Sequence, residues 1–408
     1  MRRGWLLVLI CCIPAPASAE LRLGTAKRSL VPPVKTPLAG FSRRKGALAE
    51  GMLDPVYVRA LAWRDKDTTV ALASCDLLII DETLYQAVKA RVDAASPSPI
   101  QLIVASTHTH SGPGAYGHKF LEKISMGHFN QQVFDFLAAQ ISQAVLDAAA
   151  QTQPVTVRYG AGETDGLALN RMSTDGPLDA QVRVVRFDSL QGKPAALLVN
   201  FSAHPTTLGA WNMRMSADYP GVLMRELDAR YPGALTVFVA GAVGDQGPAK
   251  HGDRYQATEW LGKQLARRVE AVQTDPAPSA SDEVRAWQRV ERLPPANITY
   301  KGKSFPGWLA RTLVDDDATL SLATIGRVAF IGAPCDLTSE LGERLRKRAE
   351  ADGFRPVIVG FADDYIGYCM PRVLYESGSY EASMAFNGPD TGELLVQWLS
   401  AMLDEAAR

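Results

Sequence analysis

Short apolar runs rich in β-branched residues alternate along this chain with amphipathic stretches of helical period. That alternation confines it to an α/β fold, a mixed β-sheet flanked by helices. The strand candidates are Thr69–Ile80, Ile100–Ser106, Val155–Gly160, Val182–Phe187, Ala195–Phe201, Leu235–Val239, Arg327–Ile331 and Val357–Gly360. The helix candidates are Glu82–Ala95, Phe129–Ala150, Tyr219–Tyr231, Ala257–Val272, Ser339–Ala351 and Thr391–Asp404. Val133, Leu137, Ile141 and Val145 repeat at helical spacing and mark a face packed on the sheet. The pattern thins between Gly247 and Ala318, where Pro, Ser and charged residues gather, so 250–318 reads as a loop-rich excursion from one domain spanning 20–408.

A content of 47% hydrophobic and 21% charged residues excludes disorder and collagen-like repeats. With 43 Lys+Arg against 44 Asp+Glu and no long run of like charge, nothing points to nucleic acid. Arg2 and Arg3 lead the apolar run Trp5–Ile13, followed by Pro14, Pro16 and Ala17-Ser-Ala19. This is the pattern of a signal peptide, 1–19, cleaved between Ala19 and Glu20, which implies a secreted or periplasmic protein. The apolar run is about half of the ~20 residues needed to span a bilayer. No later segment reaches that length without charges, so no transmembrane segment is expected, while peripheral membrane contact stays open. Removing the leader leaves Cys75, Cys335 and Cys369, too few for a disulfide scaffold.

Four of the six histidines fall between 108 and 128. The run Ile103-Val-Ala-Ser-Thr-His-Thr-His110 reads as a buried strand ending in two histidines, and side chains alternate along a strand, so His108 and His110 should point the same way. Ala195–Phe201 leads to a second such end, Ser202-Ala-His204-Pro205, where the proline stops the ladder. Two strands that deliver imidazoles at their ends favour a transition-metal site, with Zn²⁺ the natural occupant. Asp336 and the tyrosines of Asp364-Tyr-Ile-Gly-Tyr368 follow two further strands and are candidates to complete it. Polar surroundings place His118 and His128 at the surface, and His251 has no assigned role.

These stretches also carry a family likeness. In order, Thr107-His-Thr-His-Ser-Gly-Pro-Gly114, Asn170-Arg171, Phe201-Ser-Ala-His204, Ser216-Ala-Asp-Tyr-Pro-Gly221, Gly244-Asp245, Pro334-Cys-Asp336 and Tyr365-Ile-Gly-Tyr368 resemble the catalytic domain of the neutral ceramidases. The resemblance implies hydrolysis of the N-acyl amide of ceramide to fatty acid and sphingoid base, a step of sphingolipid metabolism, with one Zn²⁺ per chain. It implies that His108, His204, Asp336 and Tyr368 ligate the metal. His110 and Arg171 match residues at the substrate, and Tyr365 reads as a pocket wall, as does Tyr375.

Three departures shape the expectation. The family's serine after Gly-Asp is replaced, since Gly247 stands there, so a serine nucleophile cannot be carried over. Asp336 stands where the family has a glutamate, one methylene longer. No sequence follows the last helix for the family's second β-domain. The chemistry that survives is hydrolysis by a zinc-bound water, with His110 as general acid/base or oxyanion donor, and Arg171 orienting the carbonyl. Asp245 is a candidate to orient a ligating imidazole, or a turn residue. Cys335 and Cys369 adjoin proposed ligands and could pair or stay free. The excursion's Tyr255, Trp260, Trp287, Tyr300, Phe305 and Trp308 would cover apolar tails. The alternatives are a zinc amidase for a smaller N-acyl or peptide-like amide, an esterase, and a periplasmic solute-binding protein without catalysis.

Overall fold

A computed structural model describes residues 21–276, 283–300 and 303–408. The expected leader and the side chain of Tyr300 lie outside the described residues. Eight of the strands in the first sheet are β1 (Arg22–Ser29), β2 (Tyr57–Arg64), β3 (Thr69–Cys75), β4 (Gln101–Ser106), β5 (Thr152–Glu163), β6 (Gln181–Ser189), β7 (Pro194–Phe201) and β8 (Leu235–Ala240). They run in the order β8-β7-β6-β5-β1-β2-β3-β4, and Asp275–Pro276 adds a ninth short strand on β5. The middle pairs are antiparallel, while β7–β8 and β3–β4, at the two edges, are parallel.

Beside that mixed, helix-flanked sheet lies a second, four-stranded one. Its strands, in sheet order, are β9 (Val284–Arg292), β10 (Asp317–Ile325), β11 (Val328–Ala333) and β12 (Arg355–Gly360). β9 crosses the stretch read as a loop-rich excursion. Gln288 and Arg292 are exposed on one face and Arg285, Arg289 and Glu291 half-buried on the other, which hid the strand among polar residues.

The two sheets face each other across a core that includes Leu61, Trp63, Leu72 and Ile103 from the first and Ile325, Val328, Phe330 and Val357 from the second. Helices α1 (Glu82–Ala95), α3 (Gln131–Ala150), α4 (Asp218–Arg230) and α5 (Tyr255–Ala271) cover the outer face of the first sheet. Helices α6 (Ser339–Ala351) and α7 (Thr391–Ala406) cover that of the second. The short α2 (Phe120–Met126) sits near the site. The result is four layers, helix–sheet–sheet–helix.

Among the described residues only α3 is long and apolar enough to cross a membrane, but Val133, Leu137, Ile141 and Val145 are buried against the sheet, as their spacing predicts. Burial of each contributes about 1.5–3 kcal/mol. The approach is close: a Cβ on Gly24 of β1 would stand 1.8 Å from the Ala148 carbonyl oxygen.

Strand twist accumulates over the first sheet until its opposite edges approach. Arg59 of β2 donates to Thr236 O of β8 at 2.8 Å, and Ser74 of β3 donates to Phe238 O of the same strand. The end of β12 closes the gap, with Ser106 N donating to Phe361 O and Ala105 bridging Ala362. The C-terminal ends of β4, β7, β8, β11 and β12 therefore meet at one place.

Candidate metal centre

β4 stops at Ser106, and His108 adopts a left-handed conformation, φ +64°. Its imidazole stacks on Phe361, centroids 3.9 Å apart. His108 Nδ1 lies 2.7 Å from Leu78 O, and His204 Nδ1 lies 2.8 Å from Val243 O. Each carbonyl assigns the proton to Nδ1 and leaves Nε2 a bare lone pair. The two Nε2 atoms are 3.1 Å apart. Burial pushes the His108 imidazole down to about 3 and the other two imidazoles of the cluster well below the usual range, so all three are neutral.

His110 joins them, its Nε2 at 3.2 Å from that of His108. The two converge as expected, but for a different reason. The strand has already ended, and the left-handed turn at His108, not strand alternation, brings the rings together. Phe41 packs on the His110 ring, and the buried Arg44 guanidinium donates to His110 O at 2.6 Å.

Asp336 enters from the second sheet. It begins a two-residue strand, Asp336–Leu337, parallel to Tyr368–Cys369. Its Oδ1 stands 3.3 Å from His204 Nε2 and 3.6 Å from His108 Nε2, buried and without a hydrogen bond. Oδ2 accepts from Tyr365 at 2.8 Å, and Tyr368 stands opposite Asp336 in the register of the two short strands. Burial pushes this carboxyl up, against the pull of His108 and Arg171.

Unfilled acceptors packed this tightly are costly unless something positive lies among them. The separations of 3.1–3.6 Å match the edge of a tetrahedron around an ion with bonds of about 2.0–2.1 Å, whose edge is roughly 3.3–3.4 Å. Neutral imidazole plus carboxylate is a donor set that suits zinc. The histidine cluster alone could hold a metal ion.

Arg171 comes from the loop after Ala168–Asn170. It donates to Gly244 O at 2.8 Å and to the Tyr368 hydroxyl at 2.7 Å, with Glu381 3.3 Å from Nε. Asp245 requires a correction, because it touches no imidazole. Its carboxyl accepts from Ser339 N at 2.7 Å and Ser339 Oγ at 2.6 Å, at the start of α6, and from Asn170 at 3.2 Å. The imidazoles are oriented by backbone carbonyls instead. A Cβ on Gly247 would meet Leu169 and Arg171 at 3.6–3.8 Å, ordinary contact. Cys75, Cys335 and Cys369 are free thiols.

A pocket of about 730 Å³ opens at the cluster. His108, His110, Asp336, Tyr365 and Tyr368 form one end, and Leu78, Ile79, Leu121, Leu313, Val314, Met384 and Phe386 supply apolar walls. Lys119, Glu122 and Asp315 interrupt them, with Lys119 paired to Asp315. Tyr375 is no wall, since its hydroxyl accepts from Asn297 outside the pocket. Of the excursion's aromatics, Phe305 packs with the apolar wall, whereas Tyr255 meets Trp211, Trp260 meets His251, and Trp287 packs on the second sheet's outer core. His118 and His128 are exposed, as expected. Lys119, Arg44, Phe361 and Tyr380 escaped the reading of the sequence, for none sits in a motif.

Fold and site together define an α/β protein of two stacked sheets with a buried histidine–carboxylate centre at their joined strand ends. Comparison with known proteins narrows this. Residues 23–258, more than half the chain, match the family described as neutral/alkaline non-lysosomal ceramidase, N-terminal. The chain belongs to that family. Neutral ceramidase of Pseudomonas aeruginosa is 22% identical over 78% of this chain and 61% of its own length. Neutral ceramidase A of Dictyostelium discoideum is 24% identical over 50% of this chain and 31% of its own. The chain thus spans less than two thirds of either relative. The crystal structure of the Pseudomonas aeruginosa enzyme superposes with a TM-score of 0.85 at 20% identity, covering 95% of this chain and 75% of that one. A ceramidase complexed with C2 gives 0.84, with 94% and 75% covered.

Proposed function

We propose that the chain is an exported zinc-dependent amidohydrolase that cleaves the N-acyl amide of ceramide-like lipids to fatty acid and sphingoid base. The observation that carries this reading is the set of unfilled donors on His108, His204 and Asp336, at one end of a largely apolar pocket. Family membership supplies the reaction class.

His108 and His204, with Nδ1 protons turned to carbonyls, offer Nε2, and Asp336 offers Oδ1, with Tyr368 beside it. Zinc held by these residues would lower the pKa of a bound water to about 7 and polarise a carbonyl. The chain's residues do the rest. His110 is neutral and 3.2 Å from His108 Nε2, placed to take a proton from the attacking water and return it to the leaving amine nitrogen as the C–N bond breaks. Arg171 keeps its charge and, anchored on Gly244 O and Tyr368, orients the carbonyl. Tyr365 holds Asp336 through Oδ2. Leu121, Leu313, Val314 and Phe386 exclude water along one hydrocarbon chain.

Lys119, Glu122 and Asp315 favour a second reading, a smaller or polar-ended N-acyl substrate, because long apolar chains gain nothing beside ions. The deciding experiment offers ceramides of varied acyl length beside N-acyl amino acids and scores released fatty acid. Turnover of long-chain ceramides supports the first reading. Cleavage of N-acyl amino acids alone moves the assignment to the second, and cleavage of esters alone overturns both.

A further inference from the structure

The pocket opens among side chains that a water-soluble surface usually hides. Phe120 (62% exposed) and Ile124 (47%) stand on the outer side of α2, whose Leu121 lines the pocket. Trp308 (73%) lies on the turn Gly307–Ala310, just before the lining residues Leu313 and Val314, and Tyr380 (67%) lines the pocket itself. The inner sides of these three segments pack as one cluster through Leu121, Ala310, Leu313, Met384 and Phe386. The exposed side chains are therefore neighbours around one mouth, an arrangement that marks an interaction surface.

Charge flanks the same rim. Arg43 and Lys45 are exposed on the segment that meets the end of α2, where Gly46 lies against Gly127. Lys123 on α2 and Arg311 after Trp308 add two more, and none of the four pairs with a carboxylate among the described residues. The exposed acid on these segments is Asp316. Aromatic and aliphatic side chains beside unpaired lysine and arginine are the composition that binds in the interfacial zone of an anionic bilayer.

We propose that the pocket mouth docks on the surface of an anionic lipid bilayer. Phe120, Ile124, Trp308 and Tyr380 enter the head-group boundary, and Arg43, Lys45, Lys123 and Arg311 face the phosphates. The choice of partner rests on the N-acyl lipid reading, while the surface itself does not. A lipid leaving the bilayer would then pass into the pocket without crossing water.

The test is co-sedimentation of the mature chain with vesicles of equimolar phosphatidylcholine and phosphatidylglycerol, and with phosphatidylcholine alone. Wild type should bind the mixed vesicles, more weakly at high salt. Phe120→Ser with Trp308→Ser should weaken binding ~10-fold or more, and Arg43→Glu with Lys45→Glu should remove the preference for the anionic vesicles. Both variants should keep kcat/KM on a water-soluble short-chain N-acyl substrate. Failure of wild type to sediment, or equal binding by the variants, overturns docking. So does a wild-type dimer in sedimentation equilibrium that Phe120→Ser with Trp308→Ser dissociates, because the rim would then cover a second copy. Binding is scored without cleavage, so a chain that docks and hydrolyses no amide overturns the functional reading alone.

Discussion

The His108 imidazole lies flat on the Phe361 ring, with planes 4° apart, and both residues have positive φ, +64° and +56°. Neither is glycine, so each such conformation costs of order 1–3 kcal/mol and persists only where its surroundings enforce it. The two strained turns end strands from different sheets and brace each other across the join. His108→Ala or His204→Ala should remove the bound metal and reduce amide cleavage by about 10³-fold or more. Elemental analysis of the purified protein should find about one zinc per wild-type chain. Full activity in either variant would refute the site.

Asp245 separates two roles by energy. As a cap on the start of α6 it should cost about 1–3 kcal/mol of stability when replaced by Ala, measured by urea unfolding. An orienting partner of a ligand would instead cost 10–100-fold in metal affinity. We expect the first loss without the second.

Gly247→Ser should be accepted, because the space beside Leu169 and Arg171 is open to a Cβ. Activity should stay within about twofold of wild type, because Leu169 and Arg171 need not move to admit the new Cβ. A large gain would reveal a serine role that the present residues lack.

Asp81 caps α1 through Leu84 N, while its second oxygen is buried without a partner. Burial, with Glu122 nearby, raises its carboxyl from 3.8 to about 7. The folded state thus holds this proton more tightly than the unfolded chain. Its contribution is complete below about pH 4 and is lost as pH rises to about 7. Asp81→Asn keeps the cap without the charge, so its unfolding free energy should fall less over that window and exceed that of wild type above it. Parallel pH profiles for the two proteins would contradict the assignment.

Thiol titration of residues 20–408, unfolded and unreduced, should count three, from Cys75, Cys335 and Cys369. A count of one would show that Cys335 and Cys369 pair after all.

Much of this centre is legible in the residue order. His108, His204, Asp336 and Tyr368 each follow an apolar run that forms a strand, and strand ends are where such sheets gather ligands. What escaped is what tertiary packing decides. Strands Arg22–Ser29 and Val284–Arg292 carry too many charged residues to look buried, so a strand of each sheet went unseen. Asp245 adjoins the His204 loop in space but turns toward Ser339, a choice made by the arrival of α6. Arg44 and Lys119 act from segments whose local sequence says nothing about their neighbours.

The curled first sheet gives the centre a further property. Its donors come from chain segments separated by more than 90 and by more than 130 residues, and they meet only once both edges of one sheet and the ends of another have closed. Such long-range contacts form late and slowly. A metal there would act as a rivet through both sheets, and because it favours the closed form, its occupancy would report on folding of the whole chain. Metal retention is therefore a gauge of the frame as well as of the site, and a shortened chain missing either sheet should hold none.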